Sequence, residues 1–518
     1  MHYSHGQIMV IIGALMLAML LAALDQTIVS TALPKIASDL QGLSKLSWVA
    51  TSYLITSAIV TPIFGKLGDL YGRKKLFQFT IVIFLAGSAL CGLSQSINQL
   101  VIFRGIQGIG GGGLMSLILA IVGDVIPPRQ RGRYQGYFGG VFALASVVGP
   151  LLGGFFADAN SLLGVAGWRW IFYINIPLGI IALSAVAARL HLPVRKTEHK
   201  IDYAGASLLT VSVISLLLVS VWAGVDYAWG SIQIIGLLIS SVVFGILFVL
   251  REHKAKEPLI PLSLFKNDIF NVSVILSLLS GIAMFASILY IPEYQQVVRG
   301  YSPTKSGLLM VPLVLGLMGA SITSGRIISK TGKYKIFPII GTLLLTFGLW
   351  LFSHVTLTTS QWTLSIWMIV IGAGLGSFIQ VATLAIQNSV DRKHLGTATS
   401  SATFFRSLGG SLGGALFGTV LISRLTHHLQ DLLPAVKDSG KIVTSSLQGG
   451  TQALAHAPQA VRDDVLLAFV RSFHEMFLVA IPFALAAFIT ALFLRETPLH
   501  TGARGVAEGS AFEGEHKK

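Results

Sequence analysis

Apolar runs of about twenty residues, each long enough to cross a bilayer as a helix, recur along this chain. They fall near 8–31, 47–67, 75–95, 99–125, 134–156 and 169–189, then near 202–222 and 232–250, and finally near 269–291, 304–328, 336–355, 362–386, 397–423 and 470–494. Hydrocarbon offers no partner to an open backbone N–H or C=O, so runs of this length must close their hydrogen bonds internally as helices. The expected fold is an all-α polytopic membrane protein of about fourteen spans. Composition agrees: of 518 residues 53% are hydrophobic and 11% charged, where a soluble domain carries roughly 25% charged residues.

The formal charge of +15 is spread as short clusters between spans, which excludes a nucleic-acid surface. Arg73, Lys74 and Lys75; Arg129, Arg131 and Arg133; Arg195, Lys196 and Lys200; Arg251, Lys254 and Lys256; Lys330, Lys333 and Lys335; and Arg392 and Lys393 occupy alternate loops. By the positive-inside rule these loops, and with an even span count both termini, face the cytoplasm of a cell (plasma) membrane. The leader MHYSHGQ has no Lys or Arg before the first apolar run, which argues against a cleaved signal peptide. A single cysteine, Cys91, excludes an internal disulfide and a cysteine-based metal site. His191, His199, His427 and His428 lie in loops without convergent partners, so no metal or other cofactor is expected. No G-x-x-x-x-G-K-[ST] run is present, which points to an ion or substrate gradient as the energy source.

Inside the first span, fifteen residues from Val10 to Leu24 contain nothing more polar than a thioether, and then comes Asp25. An ionised Asp in hydrocarbon costs at least ~2.5–3.5 kcal/mol, so it should face the protein interior and have a partner. Burial disfavours the charged form and favours proton uptake. Either Asp25 carries protons or it is locked in a structural ion pair. Depth arithmetic offers partners: at ~1.5 Å per residue Asp25 lies about 25 Å from the cytoplasmic side, and Arg104 about 8 Å below the outer surface. In a core of ~30 Å the two can meet. Arg406, roughly 15 Å from the cytoplasmic side, reaches Asp25 only in some states.

A weak internal repeat orders the spans. GKLGDLYGRKKL (Gly65 to Leu76) and GRIISKTGKYKI (Gly325 to Ile336) each place glycines seven apart with bases after them, and VVGPLLGG (Val147 to Gly154) and LGGSLGG (Leu408 to Gly414) each put small residues in the fifth span of a block. We therefore expect a six-helix bundle over 1–190, a linker with two inserted helices over 191–266, and a second six-helix bundle over 267–494, followed by a disordered cytoplasmic tail over 495–518. An outer loop at about 425–468 is expected to hold one or two amphipathic helices. Paired halves of this kind suit a transporter that rocks about a central site. GIGGGG (Gly108 to Gly113) has the spacing of a dinucleotide fingerprint, but it follows no strand and lies in an apolar span, so close helix packing explains it better.

GKLGDLYGRKK resembles the signature between the second and third helices of the major facilitator superfamily. There the acid and base, here Asp69 and Arg73, belong with Gly65, Gly72 and Lys74 to a cytoplasmic latch, joined by an acid at the end of the fourth helix, here Asp124. LDQTIVSTALP, RGIQGIGGG, GPLLGG and WRWIFYINIPLG together resemble the fourteen-helix drug/proton antiporters of the QacA/EmrB type, over about 1–495. The antiporter packing motif is present as Gly149, Pro150, Gly153 and Gly154, with Ala145 in place of its first glycine, and Ser329 stands in the second half where Asp69 stands in the first.

The resemblance implies a major facilitator fold, and a monomer is expected in which protons are exchanged for small hydrophobic, often cationic, substrates across the lipid bilayer. Asp25 would alternate between a proton and Arg104 or Arg406. Gln26, Thr27, Trp48, Tyr53, Gln107, Glu293, Gln296, Gln380 and Gln387 are candidates to line the cavity, helix-to-helix hydrogen bonding being the plain alternative for each. An exporter of lipid or another neutral amphiphile is the runner-up, favoured by the shortage of membrane acids. A membrane enzyme or receptor is the remote third, since no nucleophile and base stand at recognisable spacing.

Overall fold

The computed structural model describes residues 5–41, 45–159, 161–190, 202–224, 227–432 and 459–499. Its first helices are α1 (His5–Asp39), α2 (Leu46–Tyr71), α3 (Arg73–Leu93), α4 (Ile97–Val125) and α5 (Pro128–Asp158). A short antiparallel ribbon, β1 (Ser161–Leu162) with β2 (Val165–Ala166), leads into α6 (Trp170–Tyr173) and α7 (Asn175–Arg189). Then come α8 (Tyr203–Trp222), α9 (Ile232–Lys254), α10 (Asp268–Val297), α11 (Pro303–Leu308) and α12 (Val311–Thr331). The last are α13 (Ile336–Phe352), α14 (Gln361–Ser389), α15 (Leu395–Leu432) and α16 (Gln459–Leu492). Among the described residues 13 helical segments are long and apolar enough to cross a membrane, α6 with α7 and α11 with α12 each forming one, and Ile336–Phe352 is a shorter apolar helix beside them. Every expected span thus has a helix.

Glycine sets how closely these helices approach. A Cβ on Gly108 would lie 2.5 Å from the Tyr53 carbonyl oxygen, and one on Gly112 2.3 Å from that of Ser57, both on α2. Gly110 meets α3 in the same way, 2.5 Å from the Phe84 nitrogen. The GIGGGG run is therefore a two-sided packing surface, where backbone contact replaces side-chain bulk. The repeat carries the same logic: Gly149 and Gly153 seat α5 on Thr27, Ile28 and Thr31 of α1, while Gly409 and Gly413 seat α15 on Leu278 and Ile282 of α10. Gly72 (φ 93°) and Gly332 (φ 75°) end the second helix of each block in backbone that favours glycine.

One end of the assembly gathers Lys74, Lys330, Lys333 and Lys393 and is called the basic end below. There the inserted pair α8 and α9 returns to the rest of the chain. Glu252 accepts hydrogen bonds from the backbone N–H of Leu259 (3.1 Å) and Ile260 (2.9 Å), which folds the following loop back so that Glu257 meets Lys66 of α2 at 3.0 Å.

Two stretches differ in detail from the sequence expectation. Helix, expected within the outer loop at about 425–468, is present at both of its described ends, but as extensions of the flanking spans: α15 runs to Leu432 and α16 starts at Gln459. No proline follows Leu395 until Pro434, so nothing stops α15 earlier. The start of the expected disordered tail is ordered, because Glu496 accepts from the N–H groups of Tyr334 (2.5 Å) and Lys335 (3.2 Å) at the start of α13. Residues 433–458 and 500–518, together with Asp226, His191, His199, Arg195, Lys196 and Lys200, lie outside the described residues.

Candidate functional site

Asp25 has no exposed surface and points into the interior of α1, α3, α4 and α7. Its Oδ2 meets Arg104 Nη1 of α4 at 2.5 Å, and its Oδ1 accepts from Gln107 Nε2 at 2.8 Å and Asn175 Nδ2 at 3.3 Å. Arg104 also donates to the Gln107 Oε1 (2.8 Å) and to the Val49 carbonyl (3.2 Å), and its guanidinium lies 4.4 Å from the centre of the Tyr53 ring. Ser88 accepts from Gln107 (3.1 Å) and Asn175 (3.0 Å) and donates to the Phe172 carbonyl (2.8 Å), while the Cys91 thiol donates to Gln107 Oε1 at 3.6 Å. The charge pair is thus closed in a polar shell within a single block of helices. Sequence reasoning missed Asn175 and Ser88; the one available signal was a polar residue inside WRWIFYINIPLG.

At the basic end, Asp69 joins the two blocks. Its carboxylate accepts from the backbone N–H of Gly396 (3.0 Å) and Thr397 (2.8 Å) and from the Thr397 hydroxyl (3.0 Å), all in the first turn of α15. A carboxylate there meets open N–H groups and the positive end of the helix dipole. Arg73 braces it, with Nη2 2.6 Å from Asp69 and Nη1 2.6 Å from Asp124, and donates to the Ala120 carbonyl at 2.8 Å. Gly65 lets α2 reach α15, since a Cβ there would lie 2.0 Å from Ser400 Oγ. Lys74 reaches the Ala187 carbonyl at 2.9 Å instead of the other block. A second seam joins α5 to α12 and α14: Gln135 donates to Gln387 (3.2 Å), which donates to the Leu119 carbonyl (2.9 Å), and a Cβ on Gly325 would sit 2.2 Å from the Gly132 oxygen.

The motif in α5 divides its work. Gly149 and Gly153 face α1, and Thr27 donates to the Ala145 carbonyl at 2.9 Å, so the alanine in place of glycine sits beside a helix-to-helix hydrogen bond. Pro150 and Gly154 face the other block, against Gly307 and Thr304.

The remaining candidates divide. Tyr53 and Gln107 are fully buried in the Asp25 shell, and Thr27 serves the α1–α5 contact, so for these the structure places helix packing where cavity lining was expected. Gln26, Trp48, Glu293, Gln296 and Gln380 are half-buried, Trp48 packing edge-on to Trp222 at 5.8 Å. Arg406 makes no contact with Asp25 in this conformation, where Arg104 is the partner, and among the described residues it has no hydrogen bond and no ion pair. Depth arithmetic gives a height along the helix and no direction around it. His427, His428 and Asp431 bring ligand atoms within 4.8 Å of one another on α15, a convergence the sequence did not suggest. His428 is engaged by Glu475 at 2.9 Å, and we assign no metal there.

The major facilitator superfamily model matches residues 15–414. The chain belongs to the major facilitator superfamily. This major facilitator protein is 38% identical over 501 residues to Multidrug resistance protein 3 of Bacillus subtilis (strain 168), covering 95% of this chain and 96% of that one. It is 40% identical over 429 residues to the multidrug transporter protein MdtP of the same organism, covering 83% and 78%. It is 32% identical over 504 residues to the efflux pump dotC of Dothistroma septosporum (strain NZE10 / CBS 128990), covering 95% and 85%. Among solved structures it shares the fold of the proton:xylose symporter XylE, with a TM-score of 0.61 at 15% identity over 96% of this chain and 98% of that one. As a major facilitator, the chain is a multi-pass membrane transporter and its work is movement of a solute, so the buried charge pair and the seams between blocks are the features to connect.

Proposed function

We propose that this transporter exports hydrophobic compounds in exchange for protons, its two halves (1–190 and 267–494, with the insert 191–266 riding between them) rocking about a shared path. The observation that carries the reading is Asp25, a carboxylate with no exposed surface whose counter-charge, Arg104, cannot give up its own proton. A proton arriving at Asp25 therefore competes with Arg104: once neutral, the acid releases the guanidinium, and the shell of Gln107, Asn175 and Ser88 must rearrange. Loss of a buried partner costs about 3–5 kcal/mol, enough to bias a two-state rocking equilibrium. The seam at Asp69 gives that equilibrium a second state to leave. The names of the relatives, multidrug transporter and efflux pump, support drug-like cargo and outward direction. We place the protein as a monomer in the plasma membrane with the basic end and both termini in the cytoplasm. A preference for cations gains no support at the depth of Asp25, whose charge is already matched by Arg104.

The test uses inverted vesicles carrying the purified protein under an imposed pH gradient, with a hydrophobic dye and a labelled lipid as alternative cargo. Dye uptake that collapses in Asp25→Asn supports the reading; undiminished proton-driven uptake by that variant refutes it. Lipid movement without dye movement selects the neutral-amphiphile exporter instead.

A further inference from the structure

Among the described residues Arg406, like Glu293, is a charged side chain of a spanning helix with no ion pair. It lies on α15, 11 residues beyond Leu395, about 16 Å along the helix and so near mid-depth of a ~30 Å core. It sits deep inside the molecule, yet its side chain is only half-buried. Arginine cannot discharge itself, and among the described residues no acid reaches it: Asp25 is held by Arg104, Asp69 and Asp124 by Arg73, and Glu257 by Lys66. Glu293 lies on α10, 12 residues beyond Gly281, whose backbone touches the Arg406 carbonyl; that is about 18 Å further along. A lone guanidinium at mid-depth, deep inside the molecule yet not fully covered, is chemically suited to a group that brings the missing negative charge.

We propose that Arg406 is the anchoring cation of a substrate subsite for hydrophobic molecules carrying an acidic group, a carboxylate or sulfonate. The subsite rests on the transport reading, in which the space between the halves is the cargo path. It sets acidic cargo beside the cationic cargo implied by family resemblance and gives Arg406 a role other than proton coupling.

The experiment uses the purified full chain in detergent and three probes with one fluorophore and one alkyl chain, ending in a carboxylate, its methyl ester, or a trimethylammonium group. A charge-assisted hydrogen bond should make the carboxylate bind roughly tenfold tighter than the ester. Arg406→Gln should bring the carboxylate to the level of the ester and leave the ester unchanged, while Arg406→Lys keeps part of the preference. Equal binding of carboxylate and ester by the wild type overturns the proposal, and so does an Arg406→Gln variant that weakens all three probes alike, which marks a structural role. Thermal unfolding of each variant identifies simple misfolding, in which case Arg406→Lys carries the comparison. Because binding is read without a gradient, selective binding together with absent proton-driven flux sinks the exporter reading and leaves the subsite standing.

Discussion

Asp69→Asn should part the two halves at the basic end. The carboxylate takes three hydrogen bonds from the first turn of α15, at 3.0, 2.8 and 3.0 Å, and one ion pair from Arg73 at 2.6 Å. Asparagine keeps the shape and a single acceptor oxygen, so it loses part of the bonding to Gly396 and Thr397 and all of the charge facing the helix N-terminus. A hydrogen bond to a charged group is worth about 1.5–3 kcal/mol, and a charge at a helix end about 0.3–1 kcal/mol. With one acceptor retained, a net loss of about 2–3 kcal/mol is expected, roughly a 30- to 150-fold change in the ratio of joined to parted states. Tyr71 at the end of α2 and Lys393 before α15 are both exposed, and the only native cysteine is buried, so cysteines introduced at those two positions take spin labels selectively. Pulsed electron resonance on the full chain in nanodiscs should give one short distance in the wild type and a longer population in Asp69→Asn. Asp124→Asn should shift it less, because Asp124 holds Arg73 without touching α15. A distance distribution identical to wild type in a folded Asp69→Asn protein would show that the joint does not hold the halves.

Asp25→Asn and Arg104→Gln should each lower the apparent Tm, because each strands the other member of the buried pair; an unchanged Tm in either variant would contradict a buried charge pair. Gly153→Ala should cut the yield of folded protein far more than Gly154→Ala, because its Cβ would meet the Ile28 carbonyl oxygen at 2.3 Å while that of Gly154 meets only the movable Thr304 hydroxyl at 2.9 Å; similar yields on size-exclusion chromatography would refute the packing argument. His394, in the turn before α15, is pushed below the ordinary imidazole value by burial and then by Lys393 and Lys66. The folded state thus binds fewer protons there than the unfolded one, so the cost is present below the lowered value and fades as pH rises toward about 6.5. His394→Asn should flatten that part of the stability profile, and an unchanged slope would dismiss the effect.

Hydropathy made the spans legible, because membrane crossing imposes both length and apolarity on one stretch of chain. The glycine runs were legible as packing for the same reason: nothing else explains Gly108 to Gly113 inside hydrocarbon. The height of Asp25 predicted an encounter with Arg104, since both needed a partner and only their depths had to agree. Arg406 shows the weakness of that arithmetic, as its azimuth on α15 depends on contacts with α10 that come from across the sequence. Asn175 and Ser88 stayed hidden because a single amide or hydroxyl carries no periodic signal. The order at Glu496 was hidden by the Gly-rich composition of the residues that follow it.

The position of Cys91 has a practical corollary. Its S–H group leans on the same amide oxygen that steadies Arg104, and thiol stretching absorbs where water and peptide groups are nearly silent. Infrared difference spectra of the unlabelled protein, taken as pH or cargo is changed, should therefore register the electrical state of the buried acid without any foreign probe.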